Sequence, residues 1–164
     1  LLAYGPERFA GACAAQGVAG VIVPDLPLEE AAGLRALLRD HGVSLVELVA
    51  PTSGPERLAA YARVASGFLY LVSTTGVTGA GVGRDIAGYV QRVREHSGLP
   101  LYVGFGIADA EAAAQVAAVA DGVVIGSALQ RLIAAAPTPD DAVGAVRDFL
   151  GAVRASVVGA RDSG

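Results

Sequence analysis

The sequence predicts an α/β protein built around a parallel β-sheet. Five short runs rich in β-branched and other apolar residues recur along the 164-residue chain, and a segment with helical periodicity follows each run. The runs are almost continuously apolar, which is typical of parallel strands covered on both faces. The predicted strands are residues 17–24, 43–51, 67–74, 99–106 and 121–127.

The helices between these strands are predicted from apolar residues that recur on one face. They span residues 28–41, 55–66, 84–97, 109–118 and 127–135. A last helix follows the break at APTPDD and runs to about Ala155. Because no linker or change of composition divides the chain, we expect one domain over residues 1–156 and a frayed tail over residues 157–164.

Composition excludes several classes of function. The longest apolar runs are far shorter than the roughly 20 residues that cross a membrane. The net charge is −4, and the 12 basic residues, all arginine, form no stripe that would neutralise nucleic-acid phosphates. No group of side chains has metal-ligand spacing. We therefore expect a cytoplasmic protein without membrane, nucleic acid or metal, and the absence of methionine leads us to expect further residues upstream of Leu1.

Glycines after the last two predicted strands indicate an anion site. LYVGFGIAD leaves its strand through Gly104, Phe105 and Gly106, and DGVVIGSAL leaves its strand through Gly126 and Ser127. Exposed glycine amides, together with a helix N-terminus that we expect Ser127 to cap, are suited to binding a phosphate dianion. For either loop alone, a tight strand-to-helix turn explains the glycines equally well.

The position of these loops favours a (β/α)₈ barrel over an open doubly wound sheet. In such barrels the common phosphate site is built from the loops after strands seven and eight. The five predicted strands are then numbers four to eight, and we expect the first three strands upstream of Leu1. A complete barrel takes roughly 250 residues, of which 164 is a suitable C-terminal fraction.

Few ionisable side chains are candidates for acid–base chemistry. Asp25 follows the end of the first predicted strand, and Glu47 lies within the second, where it either points into the barrel or is a partnered structural acid. The two do not make a convincing acid–base pair. His41 and His96 are expected at helix C-termini, away from the loops that would bind phosphate.

Four stretches taken together resemble the tryptophan synthase α subunit family. They are PDLPLEE at 24–30, VAPTS at 49–53, STTGVTG at 73–79, and VGFGI with IGSAL near 103 and 125. The resemblance covers nearly the whole chain in the right order. The two glycine loops are common to many phosphate-binding barrels, whereas the PDLP and TGVTG pieces single out this family.

The resemblance implies a (β/α)₈ barrel that cleaves indole-3-glycerol phosphate to indole and glyceraldehyde 3-phosphate. Indole then passes to the β subunit of an α₂β₂ complex, which carries the pyridoxal phosphate. The implied site residues are Gly79, Gly104, Phe105, Gly106, Gly126 and Ser127 for the phosphate, Ile22, Pro24, Leu48 and Tyr70 for the indole-glycerol pocket, Thr78 in the closing loop, and Asp25 facing the partner.

The family's catalytic glutamate and aspartate belong to the early strands and match no residue of this chain. By resemblance, we therefore expect this chain to carry neither a catalytic residue nor a cofactor, and to be inactive alone. Two alternatives stay open at this point. One is a stand-alone indole-3-glycerol phosphate lyase, and the other is a non-catalytic module that binds phosphate or docks to a partner.

Overall fold

The strands and helices alternate as the sequence predicts. The structure, a computed structural model, describes residues 1–72, 85–104 and 106–162, with side chains up to residue 160. The strands in these ranges are β1 (Gly20–Ile22), β2 (Ser44–Val49), β3 (Leu69–Val72), β4 (Leu101–Gly104) and β5 (Gly122–Val124). The helices are α1 (Pro6–Ala15), α2 (Ala32–Asp40), α3 (Pro55–Val64), α4 (Ile86–Arg94), α5 (Ala110–Ala117), α6 (Ser127–Ala135) and α7 (Pro139–Asp162).

The five strands form one parallel sheet in the order β1-β2-β3-β4-β5. Sequential order with a helix between neighbours is the arrangement that parallel pairing requires, because each strand must return to the same end of the sheet. Strand pairing aligns Leu48 with Tyr70, Tyr70 with Tyr102, and Tyr102 with Gly122. Aligned residues point to the same face, so this register determines what each face presents.

The main core lies between the sheet and its helices. Val49, Leu71 and Val103 are aligned across β2, β3 and β4, and each is fully buried. They pack in one cluster with side chains from α3, α4, α5 and α7, including Tyr61 and Val90. The odd-numbered residues of these strands therefore face the helices, and the even-numbered residues face the concave side.

Aspartate side chains begin two of the helices. The Asp85 carboxylate accepts a 2.9 Å hydrogen bond from the Gly88 amide at the start of α4. The Asp109 carboxylate does the same for Ala112 at the start of α5, at 2.8 Å, as the sequence indicates. Each bond satisfies an amide that the first helical turn leaves without an acceptor.

The last helix is longer than the sequence predicts. The sequence predicts an end near Ala155, whereas α7 continues to Asp162. Fraying of the tail from residue 157 stays a prediction. Val153 is buried, and Val157, one turn later, packs against the same cluster. The apolar face of α7 therefore extends one turn beyond Val153.

The helices of the described residues are short or polar compared with a membrane span. Among residues 1–72, 85–104 and 106–162, no helix is long and apolar enough to cross a membrane.

Cys13 is buried in a second, smaller cluster with Ala10 and Leu38, where it packs as a small apolar side chain.

The hydroxyl group of Tyr89 joins α4 to the sheet. That hydroxyl donates a buried 2.7 Å hydrogen bond to the carbonyl oxygen of Val49 in β2. Tyr89→Phe should lower the free energy of unfolding by about 1 kcal/mol, because the buried carbonyl loses its donor. Urea unfolding measures the change. Tyr4→Phe, at an exposed tyrosine, is the matched control and should change nothing.

The same hydroxyl predicts an alkaline pH dependence. Burial raises the pKa of Tyr89 above its usual value, so the unfolded chain loses this proton first, near pH 10. The contribution of Tyr89 to stability is thus present below that pH and is lost as the pH rises further. Tyr89→Phe should lose less stability than the wild type above about pH 10; equal losses in both proteins would contradict the assignment.

Candidate functional site

The glycine-lined ends of β4 and β5 lie side by side. Gly104 ends β4 and is aligned with Val124, the last residue of β5. Gly126 and Ser127 follow two and three positions later and lead directly into α6. The structure thus brings Gly104, Gly126 and Ser127 to the C-terminal edge of two neighbouring strands.

The start of α6 differs from the prediction in one detail. Gly126, not Ser127, is the N-cap residue, and no side chain caps the helix. The prediction that Ser127 caps α6 is therefore wrong, because Ser127 already has helical geometry as the first residue of the helix. The first bond of the helix is donated by the Gln130 amide to the Gly126 carbonyl, at 3.1 Å. The amides before Gln130 have no intrahelical acceptor, which is the arrangement that binds anions at helix N-termini.

The glycines at these strand ends are required for different reasons. Gly106 has φ +79°, a backbone conformation that other residues rarely adopt. Gly104 is needed for space, because a Cβ atom there would collide with the hydroxyl and ring of Tyr70. The glycine that ends β4 therefore accommodates an aromatic side chain from β3, a reason that the sequence does not reveal.

The concave face of the sheet is apolar and aromatic. Ile22, Leu48 and Tyr70, three of the residues expected in the pocket, all lie on it by register. Tyr70 is 8% exposed, and burial raises the pKa of its hydroxyl. Ile22 is 43% exposed and leaves apolar surface open at the edge of this face.

The same face carries two further aromatic residues, Phe68 and Tyr102, that the predicted site does not include. Tyr102 is aligned with Tyr70, and its ring stacks on Phe68 with 4.6 Å between the ring centroids. A Cβ atom at Gly122 would lie 2.9 Å from Cδ1 of Tyr102, so the ring lies over that glycine. The alternation of residues in FLYLV and LYV was the available signal, because it places Phe68, Tyr70 and Tyr102 on one face.

Pro24 and Asp25 lie at a separate small cavity. It has a volume of about 240 Å³ and is enclosed by the loop after β1, by β2 and by α3. Glu47, Arg57 and Tyr61 contribute its other polar groups. Asp25 is exposed at the C-terminal edge of the sheet.

Glu47 is a structural acid. It occupies a helix-facing position in β2 and is 6% exposed. The Nη2 and Nε atoms of Arg35 in α2 both donate to its Oε1 atom, at 2.7 and 3.1 Å. Of the two interpretations that the sequence left open, the partnered one is confirmed, and the buried charge is compensated by a guanidinium group.

A second ion pair links the loop after β1 to α3. Arg57 donates a 2.7 Å hydrogen bond from Nη1 to Glu29 and a 3.2 Å bond from Nε to the Tyr61 hydroxyl. The Arg57 hydrogen bond lowers the pKa of Glu29, although that carboxylate is on the surface. Surface exposure limits the contribution of such a pair, so it orients the loop more than it stabilises the fold.

The sequence predicts that His41 is structural and lies outside the site. His41 is the C-cap residue of α2, with its Nδ1 atom 2.9 Å from the Leu37 carbonyl oxygen, as expected for a structural histidine.

Three predicted site residues, Gly79, Thr78 and Phe105, lie outside the described residues. Within the part of the chain that the structure describes, no three acidic, histidine or cysteine side chains are grouped as metal ligands.

The fold and the arrangement of strand ends define a class. A parallel sheet in sequential order, curled and with helices on its outer face, is part of a (β/α)₈ barrel. The predicted fold class is confirmed. Comparison with known proteins identifies the family within this class.

The family model described as tryptophan synthase alpha chain matches residues 1–156. The tryptophan synthase alpha chain of Chloroflexus aurantiacus is 46% identical over 158 residues, which are 93% of this chain and 59% of the relative. That of Cupriavidus taiwanensis is 45% identical over 152 residues, which are 92% of this chain and 57% of the relative. The chain belongs to the tryptophan synthase alpha chain family, and it spans less than two thirds of the length of these relatives.

Solved structures agree with this assignment. Tryptophan synthase of Mycobacterium tuberculosis superposes with a TM-score of 0.83 at 40% identity, over 95% of this chain and 58% of that one. A structure of the tryptophan synthase α₂β₂ complex of Pyrococcus furiosus gives a TM-score of 0.81 at 27% identity, over 94% of this chain and 61% of that one.

We predict that the buried pair of Arg35 and Glu47 is costly to break but replaceable. Arg35→Met leaves Glu47 as a buried, unpaired carboxylate and should lower the free energy of unfolding by about 3 kcal/mol. The double variant Arg35→Met/Glu47→Leu should recover most of that loss, because no charge remains buried. Chemical unfolding of both proteins measures the difference.

Arg39→Met is the matched control, because the pair of Arg39 and Asp40 is largely exposed, with side chains 77% and 67% accessible. It should change stability by less than about 0.5 kcal/mol. A double variant as unstable as Arg35→Met would show that Glu47 is needed for something other than pairing with Arg35.

Proposed function

We propose that the intact protein cleaves indole-3-glycerol phosphate to indole and glyceraldehyde 3-phosphate, in tryptophan biosynthesis. The observation that carries this proposal is membership of the tryptophan synthase alpha chain family, matched over residues 1–156. The site geometry supports it, because an aromatic concave face adjoins strand ends suited to binding phosphate. Such a site accepts an aromatic ring at one end and a phosphate dianion at the other.

The phosphate would be held by backbone amides at the ends of β4 and β5. Gly104, Gly106, Gly126 and Ser127 contribute no bulky side chain there, so the anion can approach the backbone closely. The positive end of the α6 dipole favours the dianion further. Gly79 and Phe105 are proposed for the same site, and Thr78 for a loop that closes over it, on the family resemblance alone.

The indole-glycerol part of the substrate would lie against the concave face. Tyr70 and Leu48 provide apolar surface there, with Ile22 and Pro24 proposed at the neighbouring strand end. Tyr70 is largely buried, and burial raises the pKa of its hydroxyl. These residues bind and orient the substrate and exclude water, and they need not exchange protons with it.

Proton transfer requires groups from elsewhere in the barrel. Retro-aldol cleavage needs a base to take the hydroxyl proton and an acid to protonate the ring carbon. Within the five described strands the acidic residue is Glu47, which faces the helices and is paired with Arg35. We therefore propose that the acid–base carboxylates belong to strands of the barrel outside this chain.

We also propose a β-subunit partner that carries pyridoxal phosphate and receives the indole. The support is that an alpha chain similar to this one was solved as part of an α₂β₂ complex. Asp25, exposed beside the cavity at the C-terminal edge of the sheet, is the residue proposed to face that partner. A stand-alone lyase remains the alternative, and the effect of an added β subunit on lyase turnover separates the two.

If the acid–base carboxylates lie outside this chain, the full-length protein and the 164-residue chain should differ in activity. The full-length gene product should release indole from indole-3-glycerol phosphate, whereas the 164-residue chain alone should show no turnover above the uncatalysed rate. Indole release measured by absorbance or chromatography tests both. Appreciable turnover by the 164-residue chain would show that its own residues supply the acid and base.

Ser127 provides a sharper test of the phosphate site. Its side chain makes no capping bond to α6, so Ser127→Ala should change the free energy of unfolding by less than about 0.5 kcal/mol. The same substitution should weaken binding of a phosphate-bearing substrate analogue about tenfold, because a hydroxyl donor to a charged oxygen is lost. Calorimetry on the full-length protein measures the affinity.

Ser53→Ala, in the loop after β2, is the matched control and should leave the affinity unchanged. Phosphate affinity that stays unchanged in Ser127→Ala would contradict the proposed role.

A further inference from the structure

The stacked pair of Phe68 and Tyr102 occupies a defined place on the concave face. Tyr102 lies two residues before Gly104 on β4, and Phe68 lies two residues before Tyr70. At the rise of a parallel strand, each pair is separated by about 6.6 Å along the strand. Phe68 and Tyr102 therefore lie deeper in the barrel than the strand ends proposed to bind phosphate.

The pair is held firmly in position. The rings stack with a centroid distance of 4.6 Å and an interplanar angle of 28°, and neither ring is fully buried. On its other side the Tyr102 ring lies against Gly122, the residue aligned with it on β5. Because Gly122 has no side chain, the Tyr102 ring can lie close to β5.

We propose that the stacked rings of Phe68 and Tyr102 form the floor of the pocket for the aromatic ring and set the largest ring system that the pocket admits. This inference rests on the proposed function. A substrate anchored by its phosphate at the ends of β4 and β5 directs its ring inward along β4, toward Tyr102. The edge of the indole opposite the glycerol side chain then meets the floor.

A floor of this kind discriminates by shape. A methyl group on the ring edge that faces Tyr102 has no room, whereas a methyl group next to the side chain lies at the level of Tyr70 and does not reach the floor. One methyl group in an apolar pocket changes affinity by about 10-fold to 200-fold. Tyr102 is thus a specificity-determining residue that takes no part in proton transfer.

The test uses the full-length protein and three non-cleavable ligands. They are indole-3-propyl phosphate, its 5-methyl derivative, and its 2-methyl derivative as the ligand control. Calorimetric dissociation constants measure binding without requiring turnover. The wild type should bind the 5-methyl ligand at least about tenfold more weakly than the parent ligand.

Tyr102→Leu should bring the ratio of 5-methyl to parent affinity close to one, because the shorter side chain lowers the floor. Tyr102→Phe keeps the ring and should keep the wild-type ratio. None of the variants should change the ratio of 2-methyl to parent affinity. Catalytic constants with the cleavable substrates should show the same change in KM, with kcat little altered.

Gly122→Ala tests the floor without removing any aromatic side chain, so the proposal stays testable if Tyr102→Leu fails to fold. The added methyl group pushes the Tyr102 ring away from β5 into the pocket and should weaken binding of the parent ligand itself about tenfold. Parent affinity that stays unchanged in folded Gly122→Ala would overturn the floor.

The outcomes separate this inference from the proposed function. Binding of the parent ligand to the wild type with no discrimination against the 5-methyl ligand, or with discrimination that Tyr102→Leu leaves intact, overturns the floor alone. Failure of the wild type to bind the parent ligand overturns the proposed function, and the floor with it.

Discussion

The parallel register across β2, β3, β4 and β5 is the constraint on which the rest of the structure depends. It aligns Leu48, Tyr70, Tyr102 and Gly122 on the concave face. Because side chains alternate along a strand, the same register turns the intervening residues toward the helices, where they form the main core. A slip of one residue in any pair would exchange the two sets, and both the core and the aromatic surface would be lost.

Large and small residues on the concave face depend on one another. Tyr70 lies where a side chain at Gly104 would be, and Tyr102 lies where one at Gly122 would be. In both cases an aromatic side chain extends over a glycine on the next strand, so one bulky residue fills the space of two positions. The phosphate site proposed at Gly104 and the aromatic pocket are therefore coupled, because a substitution at that glycine moves Tyr70.

The sequence predicts the order of elements well, and local contacts less well. Near-continuous apolar runs are enough to reveal parallel strands. The predicted strands are nevertheless longer than the observed ones, because they include flanking glycine and proline residues. At β1, for example, residues 17–24 are predicted and Gly20–Ile22 are paired. Cap geometry at Ser127 and the end of α7 beyond Ala155 depend on packing that a pattern of residue types does not specify. The partner of Glu47 is equally invisible in the sequence, because Arg35 comes from a separate helix.

The stacked pair of Phe68 and Tyr102 illustrates why site residues on barrel strands are harder to predict from sequence than site residues in loops. Glycine-rich loops are visible in a sequence because their composition is unusual. Residues of a barrel interior are ordinary apolar and aromatic residues, distinguished only by the face to which the register assigns them. In β4, Leu101 and Val103 contribute to the core, while Tyr102 between them faces the opposite side. A single residue position therefore separates a side chain that stabilises the fold from one that faces the proposed pocket.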